Sequence, residues 1–202
     1  MSSLGINNND DILIYDNSDL KSSCRLWFSL LYFGHDEKKI HILNGGLKKW
    51  IFENKPITKD TTEIIESNYV ANEKENLVVS FDQIKKNILS KSFNVIDARS
   101  LERFEGKVSE PRKGLRSGHI QNSFCLPFNQ CINQKTGEFK NLEELRELFN
   151  QNENIEKRLD QVFTCGSGVT AAVLAYAYKM VNNDYIPKIY DGSWSEYGKY
   201  PA

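Results

Sequence analysis

No run of apolar residues in this chain of 202 approaches the ~18 that a membrane-spanning helix needs, so no bilayer-embedded protein is expected. The start, Met1 to Asp10, has no basic stretch leading into an apolar core, which argues against a secretory leader. Excess charge is lacking too. The 26 Lys and Arg against 27 Asp and Glu leave a net charge of -1, so bulk charge gives no reason to expect a nucleic-acid partner. Cysteine is sparse: Cys24, Cys125, Cys131 and Cys165 form no CxxC pair and have no accompanying histidine. That spacing argues against a zinc site and a disulfide framework, and no metal is expected. What remains, 40% hydrophobic and 26% charged, is an ordinary globular composition that rules out a disordered or fibrous chain. A soluble, cytoplasmic protein with one large domain or two modest ones is the expectation.

Short apolar runs alternate with helical patterns. Asp11 to Tyr15 reads as a buried strand ending in the turn cluster Asp16-Asn17-Ser18. Apolar residues at 26, 27, 30, 31 and 33 have helical spacing, which Gly34 stops. Lys39 to Leu43 is a second strand, and Leu47 to Phe52 a second helix, an order that predicts parallel pairing in an α/β layer. The polar stretch that follows Glu53 predicts a linker at 58–76, dividing the chain into units at 1–57 and 77–202. In the second unit, helices are predicted from a Ser80 cap to Leu89, from an Asn141 cap to Phe149, and from Val169 to Met180. Strands are predicted at 94–97, 123–126, 161–164 and 188–190, an ordered loop at 106–118, and a helical turn at 192–197.

The two units share a pattern. Ile14-Tyr15-Asp16-Asn17-Ser18 aligns with Phe163-Thr164-Cys165-Gly166-Ser167 at an offset of 149, and Leu43 to Trp50 aligns with Tyr190 to Tyr197 at 147. The first copy has little sequence ahead of its matching strand, so the chain reads as opening partway through its first repeat unit.

One segment has the makings of a reactive site. In Thr164-Cys165-Gly166-Ser167-Gly168-Val169-Thr170 a cysteine ends a strand where small residues turn the chain into a helix. Backbone N–H groups converging there stabilise an anion and favour a thiolate. A buried structural cysteine before a helix is the competing reading. A phosphatase loop also wraps amides around a cysteine, but it requires an arginine six residues on, where this chain has Ala171. Arg99, Arg103, Arg112 and Arg116, with Lys107 and Lys113, follow the Asp97 strand; they read either as solvated charge or as forks for a substrate carboxylate. His119 reads first as a structural hydrogen bonder, and Asp191-Gly192-Ser193-Trp194 as a turn with a packing Trp.

Asp97-Ala98-Arg99, Arg103-Phe104, Glu110 to Ile120, Cys165 to Ala171 and Tyr190 to Trp194, in that order, resemble the catalytic domain of the rhodanese superfamily, nearest to the two-domain 3-mercaptopyruvate sulfurtransferases. The resemblance implies an α/β fold, a parallel sheet flanked by helices, with one complete domain at 77–202 after a partial, inactive copy at 1–57 that has Asp16 where an active domain has cysteine. It implies that Cys165 carries sulfane sulfur as a persulfide, that Gly166, Ser167, Gly168, Val169 and Thr170 cradle it, and that Ser167 assists proton handling. Arg103 and Arg112 match the residues that bind the substrate carboxylate. The implied partners are a small-molecule sulfur donor and a thiol, cyanide or thioredoxin-like acceptor, with no cofactor because the sulfur rides on Cys165. Gly166 and Ser167 stand where the thiosulfate branch has basic residues, which favours mercaptopyruvate. Thiosulfate:cyanide transfer and a non-catalytic sulfur-relay fragment are the alternatives. The half-domain would leave Leu26, Trp27, Leu30 and Leu31 partly exposed unless something covers them; of docking on the second unit, pairing with another chain and local disorder, one of the first two is expected.

Overall fold

The computed structural model describes residues 1–151 and 155–200. The first unit contains β1 (Ile12–Ile14), α1 (Ser23–Tyr32), β2 (Ile40–Ile42) and α2 (Gly46–Phe52). The strands pair in parallel, Ile12 opposite Ile40 and Ile14 opposite Ile42, as the β-α-β order predicts. α1 ends where Gly34 adopts φ +84°; a Cβ there would also lie 2.6 Å from the Asn72 carbonyl oxygen, so only glycine fits.

The second unit contains α3 (Phe81–Ser90), β3 (Phe93–Asp97), α4 (Leu101–Phe104), β4 (Phe124–Cys125), α5 (Leu142–Asn150), β5 (Asp160–Thr164), α6 (Val169–Val181) and α7 (Ser193–Tyr197). Its parallel strands run in the order β4-β3-β5, with Asp97 of β3 opposite both Cys125 and Thr164. Capping boxes start α3 and α5: Ser80 and Gln83 satisfy one pair of free amide donors, Asn141 and Glu144 the other. The strand predicted at 188–190 is reduced to Ile189, which bridges Phe163 on one side and Val78 on the other. Pro187 removes one donor just before it, and the chain turns at Asp191 just after it, so no ladder can extend. The four-residue helix α4 falls where the sequence pattern suggests none.

The same hydrogen bonds recur at the positions that the sequence aligns. Leu43 N donates to Ile14 O at 2.8 Å as Tyr190 N does to Phe163 O at 2.9 Å. Leu47 N donates to Asp16 O, and Trp194 N to Cys165 O, both at 2.9 Å. Residues 55–74 form no helix or strand. They are nevertheless strapped to the first unit: Ser67 N bonds Ser2 O, Val70 N bonds Asn8 Oδ1, and Asn72 N bonds Phe33 O.

α6 is buried along most of its length, and its alanines at 171, 172, 175 and 177 let neighbouring elements approach closely. α1 packs against it. Trp27, Leu30 and Leu31 are 2%, 1% and 4% exposed, in one core with the α6 alanines, Ile96 and Phe163. Trp27 meets Tyr176 edge to face at 5.0 Å between centroids. Docking on the second unit, one of the two expected outcomes, thus covers Trp27, Leu30 and Leu31; of the four, Leu26 remains open to solvent, at 41%. Docking within the chain occupies the face that prompted the expectation of self-association.

Because Trp27 fills this interface, Trp27→Ala is expected to cost about 3–5 kcal/mol in urea unfolding. A loss below about 1 kcal/mol would mean that α1 does not hold the two units together.

Candidate active site

Cys165 follows the last residue of β5, and Gly168, at φ +80°, starts α6 as its N-terminal cap. The turn at 190–195 holds this loop from behind. Cys165 N donates to Ser193 Oγ at 3.3 Å, Trp194 N donates to Cys165 O at 2.9 Å, and Ser195 N donates to Gly166 O at 2.9 Å. Ser193, wholly buried at φ 51°, donates its hydroxyl to Tyr190 O. On the loop's other side Ser167 N points at Cys165 Sγ from 3.4 Å. Among the described residues it is the one amide of 166–170 within bonding reach of the thiol.

The four arginines separate into different environments. Arg99, 2% exposed, pairs with both oxygens of Asp97, with Glu110 and with Gly118 O, and lies 4.4 Å from the Trp194 ring. Arg116 stacks on the same ring from 4.7 Å and donates to Tyr200 O. Both support the fold. Ser100 caps α4 and so sets the position of Arg103, whose guanidinium forks onto Glu110 through bonds of 3.2 and 2.6 Å. Arg103 and Arg112 converge on the cysteine loop: a Cβ built on Gly166 would lie 3.1 Å from Arg103 Nη2 and 3.5 Å from Arg112 Nη1. Arg112 makes no ion pair among the described residues. Arg103 and Arg112, more than 50 positions before Cys165 in the chain, are thus brought to the loop Cys165, Gly166, Ser167, Gly168, Val169 and Thr170.

Two contributors have roles that the sequence alone does not assign. Glu110, whose side chain is 1% exposed, bridges Arg99 and Arg103. Arg25 reaches out from α1 to Asp191, beside Gly168. His119 has the structural role: its Nδ1 lies 2.8 Å from Phe104 O and its ring stacks on Phe104. The other thiols are poor nucleophiles, because burial pushes Cys125 and Cys131 up to about 12 and raises Cys24 well above the ordinary thiol range. A cavity of about 580 Å³ opens between α2 and residues 128–137 and has no lining residue from the Cys165 loop.

The parallel α/β fold thus places a cysteine thiol beside a backbone amide and two converging guanidinium groups. This chain belongs to the rhodanese-like domain family, which it matches over residues 1–53 and 80–200. It is 38% identical to thiosulfate/3-mercaptopyruvate sulfurtransferase 2 of Arabidopsis thaliana, over 99% of this chain and 63% of that protein. It is 35% identical to 3-mercaptopyruvate sulfurtransferase of Homo sapiens, over 96% of this chain and 64% of that protein. The crystal structure of SseA from Escherichia coli, described as a 3-mercaptopyruvate sulfotransferase, superposes with a TM-score of 0.81 at 31% identity, covering 96% of this chain and 71% of SseA. The chain thus spans less than two thirds of the length of these curated relatives.

Glu110→Ala would leave Arg103 unpaired and Arg99 with Asp97 alone. A loss of about 3–5 kcal/mol in urea unfolding is expected, because a buried charge network is being broken. A change below about 1 kcal/mol would mean that water compensates both cations.

Proposed function

We propose that this chain is a sulfurtransferase that moves sulfane sulfur from 3-mercaptopyruvate to a thiophilic acceptor through a persulfide on Cys165. The observation that carries this reading is the convergence of Arg103 and Arg112 on Gly166, beside a cysteine whose sulfur accepts a backbone N–H. The Cys165 thiolate attacks the donor sulfur, an S–S bond forms, and the donor C–S bond breaks with its electron pair going to carbon. The donor's S–H proton ends on that carbon, so pyruvate leaves and Cys165 carries the persulfide; the Ser167 hydroxyl assists this proton movement. An acceptor nucleophile then attacks the outer sulfur and the cysteine thiolate departs. The outer sulfur stands ~2 Å beyond Sγ, and the amides of Gly166 to Thr170 are the groups of this loop able to donate to it.

Arg103 and Arg112 hold the donor carboxylate by charge-assisted hydrogen bonds. The absence of Lys and Arg from Gly166 and Ser167 favours this monoanion over thiosulfate. Thiosulfate stays as a second reading because the Arabidopsis relative is named for both donors. A thiol, cyanide or a thioredoxin-like protein serves as acceptor. We further propose that the two units are copies of one ancestral unit, a reading supported by the paired hydrogen bonds of Asp16 and Cys165 with Leu47 and Trp194.

Arg112→Ala tests the donor site most cleanly, because Arg112 has no ion pair to lose among the described residues. Losing one charged hydrogen bond costs ~1.5–3 kcal/mol, so kcat/KM for 3-mercaptopyruvate should fall roughly 10- to 150-fold. Transfer from a carboxylate-free persulfide donor should fall less. Equal losses with both donors would overturn the carboxylate role. In wild type, kcat/KM should be higher for 3-mercaptopyruvate than for thiosulfate; the reverse order would refute the donor assignment.

A further inference from the structure

The Cys165 loop has a charged neighbour on each side, and only one of them belongs to the second unit's arginine cluster. On the Gly166 side stand Arg103 and Arg112, with Glu110 behind Arg103. On the Gly168 side stands an ion pair drawn from both units: Arg25 of α1 and Asp191 of the 190–195 turn. Their second contact, Arg25 Nη2 to Asp191 Oδ2, is 3.3 Å. The pair is packed onto the loop itself. A Cβ built on Gly168 would lie 2.5 Å from Asp191 Oδ1, 2.9 Å from Arg25 Nη1 and 3.3 Å from Asp191 O. Gly168 is therefore required twice over, by its φ of +80° and by the ion pair lying against its Cα.

A carboxylate in this place is at odds with the loop's purpose. The amides of 166–170 favour negative charge on Cys165, while Asp191 places negative charge beside the same backbone. We propose that Arg25 is a positioning residue for the sulfur carrier: it neutralises the carboxylate of Asp191 beside the loop, so that the loop amides stay available to the sulfur anion. The first unit thereby acts on Cys165 chemistry through a single side chain. This rests on the reading of Cys165 as the reacting thiol. The remaining charged groups around the loop have their own partners: Asp97 binds Arg99, and Glu196 accepts from the Tyr190 hydroxyl. Arg25 and Asp191 can thus be varied against a fixed background.

The test is the pH dependence of Cys165 alkylation by iodoacetamide, resolved by peptide mass, in the full chain. Arg25→Ala leaves Asp191 uncompensated, so the apparent thiol pKa should rise by about 0.3–1 unit and the rate below that pKa should fall roughly 2- to 10-fold. Asp191→Asn leaves Arg25 uncompensated, so the pKa should move down by a similar amount. The double variant and Arg25→Lys should both lie near wild type. Opposite signs for the two single variants, with recovery in the double, are the expected result. If both single variants shift in the same direction, or if the double variant is no closer to wild type than Arg25→Ala, the pair is only a structural latch and the proposal is overturned. Alkylation reads the thiolate and not sulfur transfer. Should Cys165 fail to take up sulfur while the alkylation pattern holds, the proposed function fails and the electrostatic role of Arg25 stands.

Discussion

Two backbone hydrogen bonds orient the whole site. Trp194 N holds the Cys165 carbonyl and Ser195 N holds the Gly166 carbonyl, both at 2.9 Å. In a trans peptide the C=O and the following N–H point in opposite directions. Fixing these two carbonyls toward the 190–195 turn therefore aims the amides of Gly166 and Ser167 away from it, and Ser167 N is found 3.4 Å from Sγ. The hydroxyl of buried Ser193, reached through a left-handed φ of 51°, secures the Cys165 amide in the same turn. The Tyr190-Asp191-Gly192-Ser193-Trp194 segment, which by itself reads as a packing turn, is thus the backing plate of the cysteine loop.

Charge completes what the backbone begins. Glu110 and Asp97 confine Arg99 to the interior and leave Arg103 half-committed, its fork on Glu110 and its outer nitrogens against Gly166. Arg112, exposed and without an ion pair among the described residues, leaves its guanidinium uncommitted beside Gly166. Burial disfavours the thiolate at Cys24, Cys125 and Cys131, and the Asp97 carboxylate adds to it at Cys125, so the same chemistry is denied to them.

The elements governed by local rules were legible in the sequence. Periodicity places β1, α1, β2 and α6, and the Ser80 and Asn141 caps mark α3 and α5 because a capping box is written within four residues. The cysteine loop and its two arginines follow from motif order. What escaped depends on partners far away in the chain. Ile189 is held from both sides yet forms no ladder, since Pro187 and the Asp191 turn leave it no length. α4 has a single helical turn, too short for a periodicity to register. Arg25 and Asp191 lie 166 residues apart, and the motif that begins at Glu110 does not tell that its side chain is buried between two guanidinium groups. The apolar face of α1 was visible, but its cover, α6, becomes evident only when the two units come together.

The central claim is that Cys165 carries the transferred sulfur. Intact-mass analysis after exposure to 3-mercaptopyruvate tests it directly. The account predicts one added sulfur atom on the wild type, removed by cyanide, and none on Cys165→Ser. A cyanide-labile sulfur on the Cys165→Ser protein would contradict it.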